Sequence, residues 1–176
     1  MFQKILVALD SSDIGSRVFQ EALTLAQATG AHLMLLHVLS PFEEDYPNMP
    51  VVPGLDSYYP MYNAAAEEYM RRWKLFEQHG LELLQNRTAE ATMAGVPTEF
   101  TQSAGDPGRI ICSLSHTWEA DLILMGRRGR TGISELMLGS VSNYVLHHAT
   151  CSVLVVQGGA ESETDAPQAQ EVAASR

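Results

Sequence analysis

A doubly wound α/β fold on a five-stranded parallel open sheet is predicted by three observations. Short apolar runs alternate with helical patterns along most of the chain. The runs are apolar at successive positions, as strands covered by helices on both faces are. The strand–helix alternation occurs four times and closes on a final strand, which implies a three-layer α/β/α, Rossmann-like sheet with right-handed crossovers.

The elements follow in order. Residues 4–9, KILVAL, form the first buried strand. Ser11, Ser12 and Asp13 then offer capping oxygens, and Ile14, Val18, Ala22, Leu25 and Ala26 fall on one helical face. Gly30 suits the position just past that helix. Residues 32–39, HLMLLHVL, form the second strand. Residues 40–62 break the pattern with five prolines, Gly54 and four tyrosines. This insertion-like loop exceeds the ~12–15 residues of usual structureless connections and is of the kind that makes lids or contact surfaces. A helix is expected from Asn63 to about Ala94, with an interruption near Gly80 left open, ended by Gly95 and Pro97.

Residues 97–103 fit a third strand. Asp106-Pro107 reads as an N-cap followed by proline at the first helical position, opening a helix to about Trp118. Residues 121–126, DLILMG, form the fourth strand, residues 140–148 a helix, and residues 152–157 the fifth strand. Residues 158–176 carry Gly, Ala, Ser and Glu without apolar periodicity, so a domain over 1–157 with a disordered acidic tail over 158–176 is expected.

Composition narrows the function classes. At 176 residues one domain with a sizeable core is expected. No apolar run approaches the ~20 residues that span a bilayer, and MFQKILVALD lacks the features of a signal peptide. The expected location is the cytoplasm. The formal net charge is −10 and the only lysines are Lys4 and Lys74, which argues against nucleic acid or an anionic membrane as partner. Cys112 and Cys151 sit in apolar contexts and read as buried free thiols. His32 and His37 point to opposite faces of one strand, and His147 and His148 are adjacent on a helix, so neither pair forms a metal site.

The chemistry concentrates in residues 126–140, GRRGRTGISELMLGS. Gly126 and Gly129 bracket Arg127 and Arg128, Arg130 follows, and Gly139-Ser140 open a helix whose next residue is Val141. Glycines let backbone N–H groups approach a ligand, and a helix N-terminus adds partial positive charge; both favour a phosphate. A solvated charged loop is the plainer reading. Ligands of doubly wound sheets sit at the carboxyl ends of strands where the strand order reverses. Asp10 ends the first strand and Gly126 the fourth, so neighbouring strands would bring them to one crevice. Asp10 as no more than a helix cap is the alternative. The chain lacks Gly-x4-Gly-Lys-Ser/Thr, so it is not a P-loop NTPase. It also lacks Gly-x-Gly-x-x-Gly after the first strand, and the Ser-Gly-Gly and His-x-Gly-His elements of adenylyl-transfer enzymes. No histidine or glutamate near the loop stands out as a water-activating base, although Glu135 lies within it.

With Gly126, Gly129, Gly139 and Ser140 in the pattern Gly-x2-Gly-x9-Gly-Ser, Asp10 in KILVALD and the closing ATCSVLVV, residues 2–157 resemble the universal stress protein family. The resemblance implies an adenine nucleotide alpha hydrolase-like fold and, for a complete glycine signature, ATP (or AMP or cyclic AMP) as ligand. By position, Asp10 would face the ribose or adenine, or hold Mg²⁺ with the phosphates. Val38 would offer its backbone to the adenine edge. Met125, Gly126, Arg127, Arg128, Gly129, Arg130, Gly139, Ser140 and Val141 would line the loop, ribose and phosphates. The family also implies a homodimer, and Val153, Leu154, Val155 and Val156, an otherwise exposed apolar edge, are the expected interface. The expected role is a stress-response regulator acting through ligand occupancy rather than turnover. The alternative is a slow Mg-dependent ATP hydrolase or adenylyl-transfer enzyme.

Overall fold

The computed structural model describes residues 1–41, 43, 46–48, 59–127 and 139–157, with the side chains of 59–63 outside that description. The elements run β1 (Lys4–Leu9), α1 (Asp13–Thr29), β2 (His32–Leu39), α2 (Tyr59–Met93), β3 (Thr98–Ala104), α3 (Pro107–Thr117), β4 (Leu122–Gly126), α4 (Ser140–His148) and β5 (Ser152–Val156). All five strands pair in parallel in the order β3-β2-β1-β4-β5. Leaving β1, the chain first builds toward β2 and β3, then returns to its other side with β4 and β5. The order therefore reverses between β1 and β4, which are hydrogen-bonded neighbours from Ile5↔Leu122 to Ala8↔Met125.

The pleat sorts each strand between two cores. Ile5, Val7, Leu9, Leu33, Leu35, Leu122 and Leu124 face α1 and α2. Leu6, Met34, Leu36, Val38, Ile123 and Met125 face α3 and α4. Covered on both faces, the central strands have no polar side to show, which is why they read as unbroken apolar runs.

The helix ends follow local chemistry. The Ser12 hydroxyl accepts from Gly15 N–H at 3.2 Å, and Gly30, at φ 70°, ends α1 with its N–H on the Ala26 carbonyl. The Asp106 carboxylate accepts from Arg109 N–H at 2.9 Å, with Pro107 in the first turn of α3.

One expectation needs correction, and one point left open is resolved. The helix α2 begins at Tyr59, so residues 59–62 are helical rather than loop; Pro60 is tolerated because the first helical turn makes no use of its missing N–H. The helix also runs unbroken through Gly80. A Cβ at Gly80 would stand 2.5 Å from His37 Nδ1 and closer still to Gln102 Nε2. That glycine lets α2 lie close on β2 and β3 instead of interrupting it. Of the 40–62 segment, Tyr46 packs edge-on against Trp73 and Phe76 of α2, with ring centroids 5.6 and 5.8 Å away. Residues 42, 44–45 and 49–58 lie outside the described residues, as does the expected tail at 158–176.

Candidate functional site

The carboxyl ends of β1, β2 and β4 open onto one crevice of about 650 Å³. Asp10, Val38, Met125, Gly126, Gly139, Ser140 and Val141 all line it. Residues from strands β1, β2 and β4 and from the start of α4, far apart in sequence, are thus brought to the point where strand order reverses. Arg127 follows β4 and donates its N–H to the Val156 carbonyl at 3.0 Å, which ties it to the edge strand; it is not among the lining residues. Arg128, Gly129, Arg130 and Glu135 lie outside the described residues.

The carboxylate of Asp10 is held by the start of α1. Its Oδ1 accepts from Ser12 N–H at 3.1 Å and from the Ser12 hydroxyl. Ser12 in turn caps α1, so Asp10 both supports that helix end and lines the crevice. The capping and crevice readings are therefore compatible. Gly15 packs onto Asp10 from the first turn of α1.

Across the crevice, α4 begins at Ser140 after Gly139, which as N-cap provides no side-chain hydrogen bond. The Ser142 hydroxyl turns back to donate to the Gly139 carbonyl at 3.1 Å. No capping carboxylate or hydroxyl of the described residues thus neutralises the first-turn N–H groups beside Ser140 and Val141, and an anion there gains from the helix dipole. Gly126 closes the floor; a Cβ on it would stand 2.5 Å from Ile14 Cγ2.

The other end of the crevice has a different character. Leu36, Val38, Pro41, Pro107 and Ile111 make an apolar slot, with Ser40 and Glu43 as its polar members. Sequence reasoning missed these residues except Val38. Their signal was position: Ser40 to Glu43 directly follow a strand that ends at the site, and Pro107 starts the helix facing it. A cleft that joins an apolar slot to a helix start with no side-chain cap among the described residues has the chemistry a nucleotide site needs. Among the described residues no group of three or more His, Cys, Asp or Glu side chains could hold a metal. A Mg²⁺ arriving with phosphates needs only one or two carboxylates, and Asp10 could be one.

The remaining candidates for chemistry lie elsewhere. His37 is buried beneath α2, whereas His32 meets Glu99 at 3.3 Å near the sheet edge, on the opposite face. His148 stacks on Tyr144 with centroids 4.0 Å apart. Cys112 and Cys151 are free and only half-buried, rather than buried as expected, because both sit at the margin of the core under α3 and α4. Burial still pushes both thiols up from their ordinary range, so neither is an activated nucleophile.

The universal stress protein family model matches residues 1–157. The chain belongs to the universal stress protein family. A universal stress protein of Synechocystis, Sll1388, is 38% identical over 160 residues, covering 89% of this chain and 98% of its own length. Two solved members share the fold. A universal stress protein family protein of Arabidopsis thaliana with AMP bound is 22% identical with a TM-score of 0.61, over 93% of this chain and 97% of its own. A universal stress protein in complex with cAMP is 24% identical with a TM-score of 0.56, over 89% of this chain and 97% of its own. As in other α/β proteins, the fold itself leaves open what the site holds. No helix among the described residues is long and apolar enough to cross a membrane.

Proposed function

We propose that this universal stress protein is a cytoplasmic stress-response regulator that binds ATP, or AMP or cyclic AMP, in the switch-point crevice and acts as a homodimer through occupancy of that site. One observation carries the reading: Asp10, Gly126 and the start of α4, which has no side-chain cap among the described residues, converge on a single cleft that also holds an apolar slot. The relatives with AMP and with cAMP bound support the ligand class.

In this reading the base enters between Val38 and Ile111, with the Val38 backbone at its edge. The phosphates meet the N–H groups of Ser140 and Val141 and the Ser140 hydroxyl. Gly126 and Gly129 admit close backbone approach. Met125 walls the crevice beside them, while one of Arg127, Arg128 or Arg130 supplies a charge-assisted hydrogen bond, Arg128 or Arg130 being favoured because Arg127 does not line the crevice. Asp10 takes a ribose hydroxyl or, with the phosphates, Mg²⁺. Bound Mg²⁺ would neutralise phosphate charge.

The test is to denature the purified protein, identify any nucleotide it releases by mass, and follow phosphate release from Mg–ATP with fresh protein. An adenine nucleotide with negligible turnover is expected. Several turnovers per minute, lost in Asp10→Ala, would replace this reading with that of a hydrolase. No nucleotide and no titration signal with ATP, AMP or cyclic AMP would remove the site.

The dimer interface belongs to the edge of β5. Ser152 N–H bonds the Asp121 carbonyl and the Val156 carbonyl accepts from Arg127 N–H, so alternate residues 152, 154 and 156 face β4. Val153 and Val155 therefore direct their backbone groups to the edge that no described strand pairs with. Leu154 is exposed beside them. A twofold mate adding an antiparallel strand here satisfies those groups. Val155→Pro removes an edge donor without touching the β4 ladder. Sedimentation equilibrium should show a dimer for the wild type and association at least roughly tenfold weaker for the variant, since one lost hydrogen bond per protomer counts twice. An unchanged dimer excludes this edge.

A further inference from the structure

We infer that Glu43 sets the base specificity of the crevice, by presenting an acceptor to the exocyclic amino group of adenine; the inference rests on the adenine-nucleotide reading above. The chain of argument begins at α2. The Gln102 amide nitrogen donates to the Glu77 carbonyl at 3.2 Å. A carbonyl can only accept, so this contact fixes which end of the amide is nitrogen. The same nitrogen lies 3.3 Å from His37 Nδ1. Nδ1 is therefore the acceptor of the ring, and Nε2 of the neutral imidazole carries the hydrogen. Nε2 lies 3.2 Å from Glu43 Oε2 and donates to it.

Both side chains of that pair are secluded, His37 2% and Glu43 8% exposed. The backbone around Glu43 is also fixed. Its N–H donates to the Ser40 carbonyl at 3.2 Å, and its carbonyl accepts from Tyr46 N–H at 3.3 Å, with Tyr46 anchored on α2. Glu43 nevertheless lines the crevice, at the apolar end with Val38, Pro41 and Ile111. With phosphates at α4, this is the base end. Oε2 is committed to His37, and Oε1 is assigned to the ligand. A carboxylate accepts only. It matches the amino group of adenine and opposes the 6-carbonyl of hypoxanthine or guanine, where two acceptors would meet in a site shielded from water.

Glu43→Gln gives a decisive variant because His37 controls it. The Nε2 hydrogen requires the amide oxygen, so the amide NH₂ turns to the crevice and a donor replaces the acceptor. The experiment measures the affinities of ATP and inosine triphosphate for the wild type and for Glu43→Gln. The melting temperatures with and without ATP verify folding. The wild type should favour ATP by on the order of 10- to 100-fold, the range for a hydrogen bond to a charged group. Glu43→Gln should shrink that ratio at least tenfold or invert it. Should Glu43→Gln not fold, the wild type alone decides by comparing ATP with purine riboside triphosphate, which lacks the amino group; equal affinities overturn the inference. A ratio unchanged in a folded variant that binds both nucleotides overturns the assignment of Glu43 and leaves the nucleotide site standing. Absence of ATP binding to the wild type overturns the nucleotide reading and this assignment together.

Discussion

Gly15→Ala is expected to destabilise the protein by about 3 kcal/mol and to weaken nucleotide binding by roughly 10- to 100-fold. Helix propensity alone argues the other way, since alanine in a helix interior is favoured over glycine by about 1 kcal/mol. The contact decides the sign. A Cβ at position 15 would stand 2.7 Å from Asp10 Oδ1 and closer still to the Asp10 carbonyl oxygen. That oxygen is backbone at the end of β1, beside the buried Leu9, and has no rotamer with which to retreat. Either α1 lifts from the sheet or Asp10 is pushed out of position. The first loses packing of Val18, Phe19 and Ala22; the second moves a carboxylate that lines the crevice. At about 2–4 °C per kcal/mol for a domain of this size, thermal melting should fall by roughly 6–12 °C. A melting temperature equal to or above that of the wild type would show that the contact between α1 and Asp10 is not tight.

Gly126→Ala is the second large effect, and it differs in kind. Its Cβ would stand 2.5 Å from Ile14 Cγ2 and 3.3 Å from Val18 Cγ2, both side-chain atoms. A cost of about 1–3 kcal/mol is expected. Removing the obstructing side chain should recover part of it, so Ile14→Ala combined with Gly126→Ala should be more stable than the sum of the two single changes predicts. Nucleotide affinity should fall by roughly tenfold in Gly126→Ala, because relieving the clash with α1 shifts the end of β4, where Met125 and Gly126 line the crevice. A double-variant cycle in thermal or urea unfolding measures the coupling. Strict additivity would place the strain elsewhere than between Ile14 and residue 126.

The contrast between these glycines shows what the sequence could convey. Gly30 and Gly126 were legible because local chemistry marks them, one past a helix and one opening a glycine-rich turn. Gly15 and Gly80 sit inside helical patterns and look like weaknesses in them. Their reasons are tertiary, Asp10 against one and His37 with Gln102 against the other. The strands were legible almost to the residue, since a strand covered on both faces writes its burial directly as an apolar run. The start of α2 at Tyr59 was hidden by prolines that suggest a loop.

The site divides similarly. Asp10, Gly126, Gly139 and Ser140 follow from strand ends and a helix start, joined by the switch-point rule. Glu43 carries no motif. Its place depends on a turn after β2, on Tyr46 packed against α2, and on a histidine whose tautomer is fixed from a third element. No periodicity encodes an arrangement of that kind.

The most direct measurement is a titration of the isotopically labelled protein with ATP, followed by the backbone amide resonances. Saturable shifts concentrated at Asp10, Val38, Gly126, Ser140 and Val141 are expected, with β3 and the exposed face of α2 little changed. Absence of saturable shifts, or shifts centred on the aromatic group of Tyr46, Trp73 and Phe76, would contradict the placement of the nucleotide at the switch point.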